Sequence, residues 1–491
     1  MFQITKYFKA YFLSLNFLIV SLLFTTSLIC GTINVPVDQS TIQTGIEAAQ
    51  NGDTVLVAQG IYHENINFLG KQIVVTSQFI LNNDLSFITN TIIDGSTPAN
   101  PDTASCVVFY TGEDSLSILQ GFTITGGTGT KWIDPGNPGW TWRGGGGIFT
   151  FRSSPTIQFN IIKNNSVTNT TGVNGAQGGG TLSFAGNPVI KNNIIMENEA
   201  RYGAGIVIDY SGGIVKNNII WKNFGGQAYG GGGIWTLGNG LLPIIIENNH
   251  IIENSVAGSG TYGGKGGGIF IWMGTLTARN NIIWGNTQSQ GGQVAQIDGG
   301  TAYITYSNVQ GGFPGTGNLD VNPAFADSNF YLSTGSPCVD AGDSSLLYKD
   351  PEDNNNPGFA KWPSLGTTRN DMGAYGGCNC NIFPFFFITA INPAQPSLPD
   401  NFALKQNYPN PFNPETSICF LLPSSGKIDL KIYNTLGQVI KSLTNDHQSA
   451  GEHSIIWNAK DDFNRSVPSG TYFYSLRFND LIINKRMILI K

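Results

Sequence analysis

The sequence predicts an all-β chain, a parallel β-helix solenoid followed by a small C-terminal β-sandwich, on three observations. A glycine block, two short apolar strands and an asparagine turn recur five times between residues 144 and 286. Glycine accounts for 63 of 491 residues, nearly double the usual share of about 7%, without the three-residue period of collagen. From Asn401 the glycine blocks stop and short alternating strands begin. Only 12% of residues are charged, yet 40% are hydrophobic, so the chain has enough apolar surface to fold. A net charge of −6 argues against nucleic acid, whose binders carry a basic surface.

Residues 1–31 read as a signal peptide. Lys6 and Lys9 precede an almost uncharged apolar run, Tyr11 to Ile29, and Cys30-Gly31 then opens polar sequence. An uncleaved anchor is the rival reading, since the run is long enough to span a bilayer. Ser27, Leu28 and Ile29 do not form a lipobox before Cys30. No later segment has the 18 or so apolar residues of a transmembrane helix.

The β-helix is expected over residues 32–380. Ser40-Thr41-Ile42-Gln43 reads as a capping box opening a short helix through Ala49 that Gly52 ends. Such a helix would cover the exposed end of a solenoid. The coils follow. Their glycine blocks start at Gly144, Gly178, Gly203, Gly230 and Gly266, and the second asparagine of each turn falls at Asn160, Asn193, Asn218, Asn249 and Asn281. The spacings of 33, 25, 31 and 32 residues fit coils of several short strands. Like residues should stack, each asparagine bonding those above and below it. Glycine would supply the backbone angles of the next corner. Insertions starting at Thr168, Phe224 and Ala257 all follow the asparagine turn, which places them on one face.

GDTVLVAQGIYHENI from Gly52, IIDGS from Ile92, LQGFTITGG from Leu119, the glycine–asparagine coils, SPCVDAGD from Ser336 and DMGAYGG from Asp371 resemble the right-handed parallel β-helix proteins of the pectin-lyase-like superfamily. Residues 381–400 read as a linker. In 401–491, NFALKQNYPNPFNPETSICFLLP from Asn401, LKIYNTLGQVIKSL from Leu430, SVPSGTYFYSL from Ser466 and the terminal KRMILIK resemble the type A C-terminal sorting domain of the type IX secretion system. That resemblance implies export, passage across an outer membrane, tail cleavage and a secreted or cell-surface location.

The superfamily resemblance raises polysaccharide lyases and glycoside hydrolases, which need paired carboxylates or a base beside a cation. Neither device is plain. Asp209 and Asp298 are about three coils apart, roughly 15 Å. The best lyase-type group is Arg201, Tyr202, Asp209 and Lys265, with Arg143 near in sequence. Aromatic residues suggest carbohydrate stacking instead. Trp221 and Trp284 share the turn position of Lys163, Met196 and Ile252. Trp235 falls in a column with Phe149, Leu182, Val207 and Phe270, and Trp272 in one with Phe151, Phe184, Asp209 and Leu237. Tyr202 and Tyr262 lie in the loops. Core packing is the alternative role for the columns. Asp340, Asp343, Asp350 and Asp353 form an oxygen-rich loop of the kind that suits calcium, the one cofactor the sequence admits, although a polar turn has the same composition. A disulfide from Cys338 to the Cys378–Cys380 pair is expected, and His63, His250, His447 and His453 do not cluster. Three functions remain: a surface protein binding a polysaccharide or surface glycan, an enzyme acting on an acidic polysaccharide, and a structural surface component. The tail would engage the type IX machinery in each case.

Overall fold

The computed structural model describes residues 31–226, 229–258, 264–289, 296–378, 402–407, 409–422, 426–435, 437–444, 446–448, 451–478 and 481–490. Residues 1–30 of the expected signal peptide (1–31), Tyr262, Cys380 and the expected linker (381–400) lie outside them. The chain forms two compact units.

In the first unit a coil contributes up to four strands. Coil by coil, the glycine-block strand is represented by Ile148–Phe151, Thr181–Phe184, Ile206–Asp209 and Ile234–Leu237, all parallel and in register. The second strand is Thr156–Gln158, Val189–Lys191, Gly213–Lys216 or Ile244–Glu247. The third runs through nine coils from Gly60–Tyr62 to Asn308–Val309. A two-residue fourth strand, such as Ser166–Val167 or Glu199–Ala200, completes the coil. In the last full coil no corner divides the first two strands, so Ile269–Arg279 is one strand that pairs with both Ile234–Leu237 and Ile244–Glu247.

Alternation sends one side chain in two to the lumen. Ile157, Ile190, Val215 and Ile246 stack inside from the second strand, and Ile162, Ile195, Ile220, Ile251 and Ile283 from the third. Burying each is worth about 1.5–3 kcal/mol. The corner between these strands carries the expected ladder. The main-chain N–H of Asn160, Asn193, Asn218 and Asn249 donates to Oδ1 of the next asparagine at 2.9–3.0 Å. Each Nδ2 donates to the same oxygen at 3.0–3.2 Å. A second ladder, absent from the sequence reading, runs through Asn165, Asn198, Asn223, Asn254 and Asn286 at the following corner. The residue before each ladder asparagine is left-handed, as at Asn192, Asn217, Asn248 and Asn280, with φ between 51° and 57°. Asparagine tolerates this region better than most residues.

The glycine blocks do two jobs, of which only one was expected. Gly178 has φ +68°, the corner role. Gly180 instead allows close approach: a Cβ there would lie 2.5 Å from the carbonyl oxygen of Gly205 in the next coil.

The cap helix is Ile42–Ala48. Its box is Thr41 with Thr44, one residue later than expected. Glu64 accepts the N–H groups of Ile42 and Gln43, both at 2.9 Å. Lys71 Nζ donates to the carbonyls of Ile46, Glu47 and Ala49, each at 2.7 Å. Both helix ends are thus satisfied by side chains from the coil below.

After the last coil the segment Phe325–Gly377 lies on the outer face of the third sheet. Phe330, Ala374 and Tyr375 pack there against Ile194, Ile219 and Ile252. Cys338 is buried, carries no disulfide, and its Sγ lies 3.2 Å from Asn308 Nδ2. The expected bridge from Cys338 is therefore not formed: the thiol sits among Ile282, Leu332 and Met372.

The second unit has two antiparallel sheets. One holds Ala403–Leu404, Thr416–Leu422 and Gly451–Trp457. The other is built on Val439–Thr444, Gly426–Tyr433, Gly470–Phe478 and Leu481–Leu489. Ile418, Phe420, Trp457, Tyr474 and Met487 form its core. Among the described residues no helix is long and apolar enough to cross a membrane.

Candidate functional site

On the glycine-block sheet Ile148, Ile206 and Ile234 face the lumen, so the aromatic columns face out. They are nonetheless mostly covered. A four-stranded layer of Thr103–Ala104, Gly129–Ile133, Thr141–Gly144 and Gly175–Gln177 forms beside the coils. Trp132 and Trp142 from this layer, with Tyr202 and Tyr229, join Phe149, Phe151, Phe184, Trp235 and Phe270 in a second hydrophobic core outside the lumen. The pair Trp132 and Trp142 went unnoticed in the sequence because that hairpin has no counterpart in other coils. The Pro-Gly turn between two tryptophan-bearing strands, WIDPGNPGWTW, was its signal.

One part of this cluster reaches the surface. Tyr110, Phe151, Phe184 and Tyr210 form a ladder of rings along the coil axis, with centroid separations of 4.7, 5.5 and 5.7 Å. The first two pairs are stacked within 11° of parallel. Trp132 covers the middle, 4.3 Å from Phe184, whereas the end rings Tyr110 and Tyr210 are 46% and 47% exposed. Trp140, 5.8 Å from Trp142 in the covering layer, is also exposed.

Asp209 takes the ring position in the next coil, since Phe151, Phe184, Asp209 and Leu237 are in register. It is buried, and its Oδ2 accepts from Gln177 Nε2 at 3.0 Å. Among the described residues its Oδ1 has no hydrogen-bond partner, and neither have Gln177 Oε1, Trp132 Nε1 and Trp235 Nε1. Burial, with Asp134's charge adding to it, pushes the Asp209 carboxyl up to about 7.

The remaining candidates disperse. Arg201 is half-buried and its charge acts on Tyr202, which is buried 5.4 Å from Trp235. Lys265 is half-buried and lends its carbonyl to the N–H of Gly231. Among the described residues no cation pairs with Asp209, so the expected Arg201–Asp209–Lys265 group is not an ion-paired constellation. Trp272 is displaced from its column: a bulge sets Met273 opposite Leu237, and Trp272 packs 5.0 Å from Tyr229. Trp221 and Trp284 lie on a different sheet, half-buried against the C-terminal segment. Trp221 meets Phe330 edge-on at 5.6 Å and its Nε1 donates to Glu253 at 3.1 Å, while Trp284 packs in the cluster of Leu332 and Met372.

The aspartate loop ties backbone together instead of converging on a cation. Asp340 accepts from Thr367 N–H at 3.0 Å, and Asp343 pairs with Arg279 at 2.8 Å. Asp350 accepts from the N–H groups of Asp371 and Gly377, and Asp353 from Asn355 N–H at 2.9 Å. Among the described residues no three or more histidine, cysteine, aspartate or glutamate side chains are grouped to hold a metal.

Comparison with known proteins agrees with this architecture. Residues 416–479 match a family model described as the FlgD Ig-like domain. No curated protein matches the chain. Among solved structures, dimeric latent PorU from Porphyromonas gingivalis is similar over 18% of this chain and 9% of its own, at 16% identity and a TM-score of 0.17. PorZ, a surface component of the type IX secretion system of the same organism, is similar over 19% and 12%, at 20% identity and a TM-score of 0.14. The chain thus spans about a tenth of either. Residues 39–310 match the model for the right-handed β-helix region, more than half of the sequence, and the chain belongs to that family of right-handed β-helix proteins.

Proposed function

We propose that this protein is an exported, cell-surface or secreted β-helix that binds a glycan on the outer face of its glycine-block sheet. The observation that carries the reading is the ring ladder Tyr110–Phe151–Phe184–Tyr210, whose end rings Tyr110 and Tyr210 are exposed. Such rings offer flat apolar faces on which sugar rings stack. The ladder runs along the coil axis, so a linear polysaccharide would lie across successive coils. Delivery by the type IX system rests on the tail motifs, which fall in an antiparallel sandwich.

One observation favours an enzymatic second reading. A carboxyl pushed up to about 7, as at Asp209, suits an acid or base working near neutral pH. Hydrolysis would also require a second carboxylate within about 5–9.5 Å.

Retention of the purified full chain on immobilised polysaccharides, with product release followed in the same samples, tests both. Retention without release that is lost in Tyr110→Ala/Tyr210→Ala supports binding. Release of unsaturated products or reducing ends supports the enzyme. Retention on none leaves a structural surface component.

A further inference from the structure

Asp209 is the anomaly of the aromatic face. Its column otherwise holds Phe151, Phe184, Leu237 and Met273. Placing a carboxyl there, 7% exposed and without an ion-pair partner among the described residues, is unfavourable, because burial penalises the charged form. Nothing in the coil geometry demands it, since the next coil has leucine.

The atoms left unsatisfied around it define what would complete it. Asp209 Oδ1 and Gln177 Oε1 are acceptors without donors, and the two side chains are joined at 3.0 Å. Gln177 is fully buried. Trp132 Nε1 and Trp235 Nε1 are donors without acceptors on side chains 3% and 4% exposed. The aromatic rings of Trp132, Phe184, Tyr202 and Trp235 belong to the same cluster. Paired acceptors among aromatic faces call for a cationic group with several protons, stabilised by the carboxylate and by the ring quadrupoles. The indole donors call for oxygen acceptors close by. A sugar ring bearing a protonated amine and hydroxyl groups carries both. Tyr210, next in sequence to Asp209, is 47% exposed.

We propose that Asp209 and Gln177 select an amino-sugar glycan, taking its ammonium group between their free oxygens while the exposed end rings Tyr110 and Tyr210 carry the rest of the polymer. This inference rests on the glycan reading above. The charged and titratable groups facing the site are Asp134, whose charge acts on Asp209, and Arg201, Tyr229 and Asp134 around Tyr202. With Asp209 up to about 7, binding should strengthen as the pH rises through neutrality and weaken again once the amine loses its proton.

The test compares full-length protein with Asp209→Asn and Asp209→Leu on polyglucosamine, its fully N-acetylated form, a neutral polyglucose and polygalacturonate. Leucine matches Leu237 of the next coil, so it keeps the fold if asparagine does not. Expected is at least tenfold tighter binding to polyglucosamine than to the N-acetylated form, with the preference lost in both variants and neutral-glycan binding retained. Equal binding of the two forms, or variants that keep the preference, overturns the amine assignment and leaves the glycan reading standing. Retention on none of the four, together with unchanged tryptophan fluorescence on adding free glucosamine, overturns both.

Discussion

Asn217 donates its side-chain amide to the carbonyl oxygens of Ala374 and Gly376, at 3.0 and 2.7 Å, across more than 150 residues of sequence. Asn248 does the same one coil later, reaching Asn370, Asp371 and Gly373 at 3.2–3.3 Å, and Asn280 Oδ1 accepts from Asp343 N–H at 2.8 Å. In the pairs that begin at Asn217, Asn248 and Asn280 the first asparagine thus clamps the C-terminal segment from outside, while the second builds the ladder inside. Asn217 has φ 52°, so Asn217→Gly removes the amide without adding strain. Two buried carbonyls lose their donors, at about 1–3 kcal/mol each. Hydrogen exchange at residues 372–377 should accelerate at least tenfold, with the coil strands unchanged.

This division of labour explains what could be read from the sequence. The five-fold recurrence made the coil, the inner ladder and the inward isoleucines legible, because stacking forces like residues onto like positions. The ladder at Asn165 and its equivalents lay in the same motif, FNIIKNN, but after Asn164 the preceding residues are Glu197, Lys222, Glu253 and Gly285, so no Asn-Asn pair repeats there. The site was less legible. Whether Phe149 and Phe151 faced inward or outward could not follow from period-two spacing alone, and the layer that covers them comes from non-repeating insertions. Trp272 slipped out of its column through one extra residue at the bulge between Thr236 and Leu237, which no count of repeats reveals.

The two ladders should be energetically equivalent. Asn218 Oδ1 accepts from Asn193 N–H and Nδ2, and its Nδ2 donates to the carbonyls of Ile190 and Lys216. Asn223 accepts twice from Asn198 and donates to the Ile195 carbonyl. Alanine at either leaves several buried groups without partners, at about 1–3 kcal/mol each. Both Asn218→Ala and Asn223→Ala should therefore lower the denaturant midpoint of the β-helix by about 3–5 kcal/mol equivalent. An unchanged midpoint for Asn223→Ala alone would mean that the second ladder is passive.

Glycine at position 180 is a matter of space, not of flexibility. An added Cβ would sit 2.5 Å from Gly205 O and 2.9 Å from Ile195 Cγ2. Separating those coils disturbs the neighbouring ladder bonds, so Gly180→Ala should cost at least 2 kcal/mol, in the range of overpacked cores. Gly139 has nothing within 4 Å of its Cβ position, and Gly139→Ala should be neutral within about 0.5 kcal/mol. Thermal unfolding of the two variants side by side reads the difference.

His250 makes the attachment of the C-terminal segment sensitive to acid. It stands in register between Ile219 and Ile282, fully buried, with neither ring nitrogen hydrogen-bonded among the described residues. Phe325, Phe330 and Tyr375 close over it at 5.3–6.4 Å, and all three belong to the C-terminal segment. Burial alone lowers its pKa to about 3. The folded-state value lies below the unfolded one of about 6.5, so the unfolded chain takes up the proton first. The stability from the neutral ring is complete above pH 6.5 and is lost as the pH falls towards 3, by about 1.4 kcal/mol per unit. Asp350 and Asp371 run the other way: burial, and at Asp350 the charge of Asp371, raises both above the usual carboxylate range, so they favour the folded chain as the pH falls. The comparison must therefore be between wild type and His250→Ile, which restores the isoleucine of the adjacent coils and leaves the aspartates in place. The difference in stability between the two should grow steadily in favour of the variant below pH 6. Hydrogen exchange at residues 325–377 should rise with acid in the wild type only, and parallel pH profiles would show that the ring is not what loosens the segment.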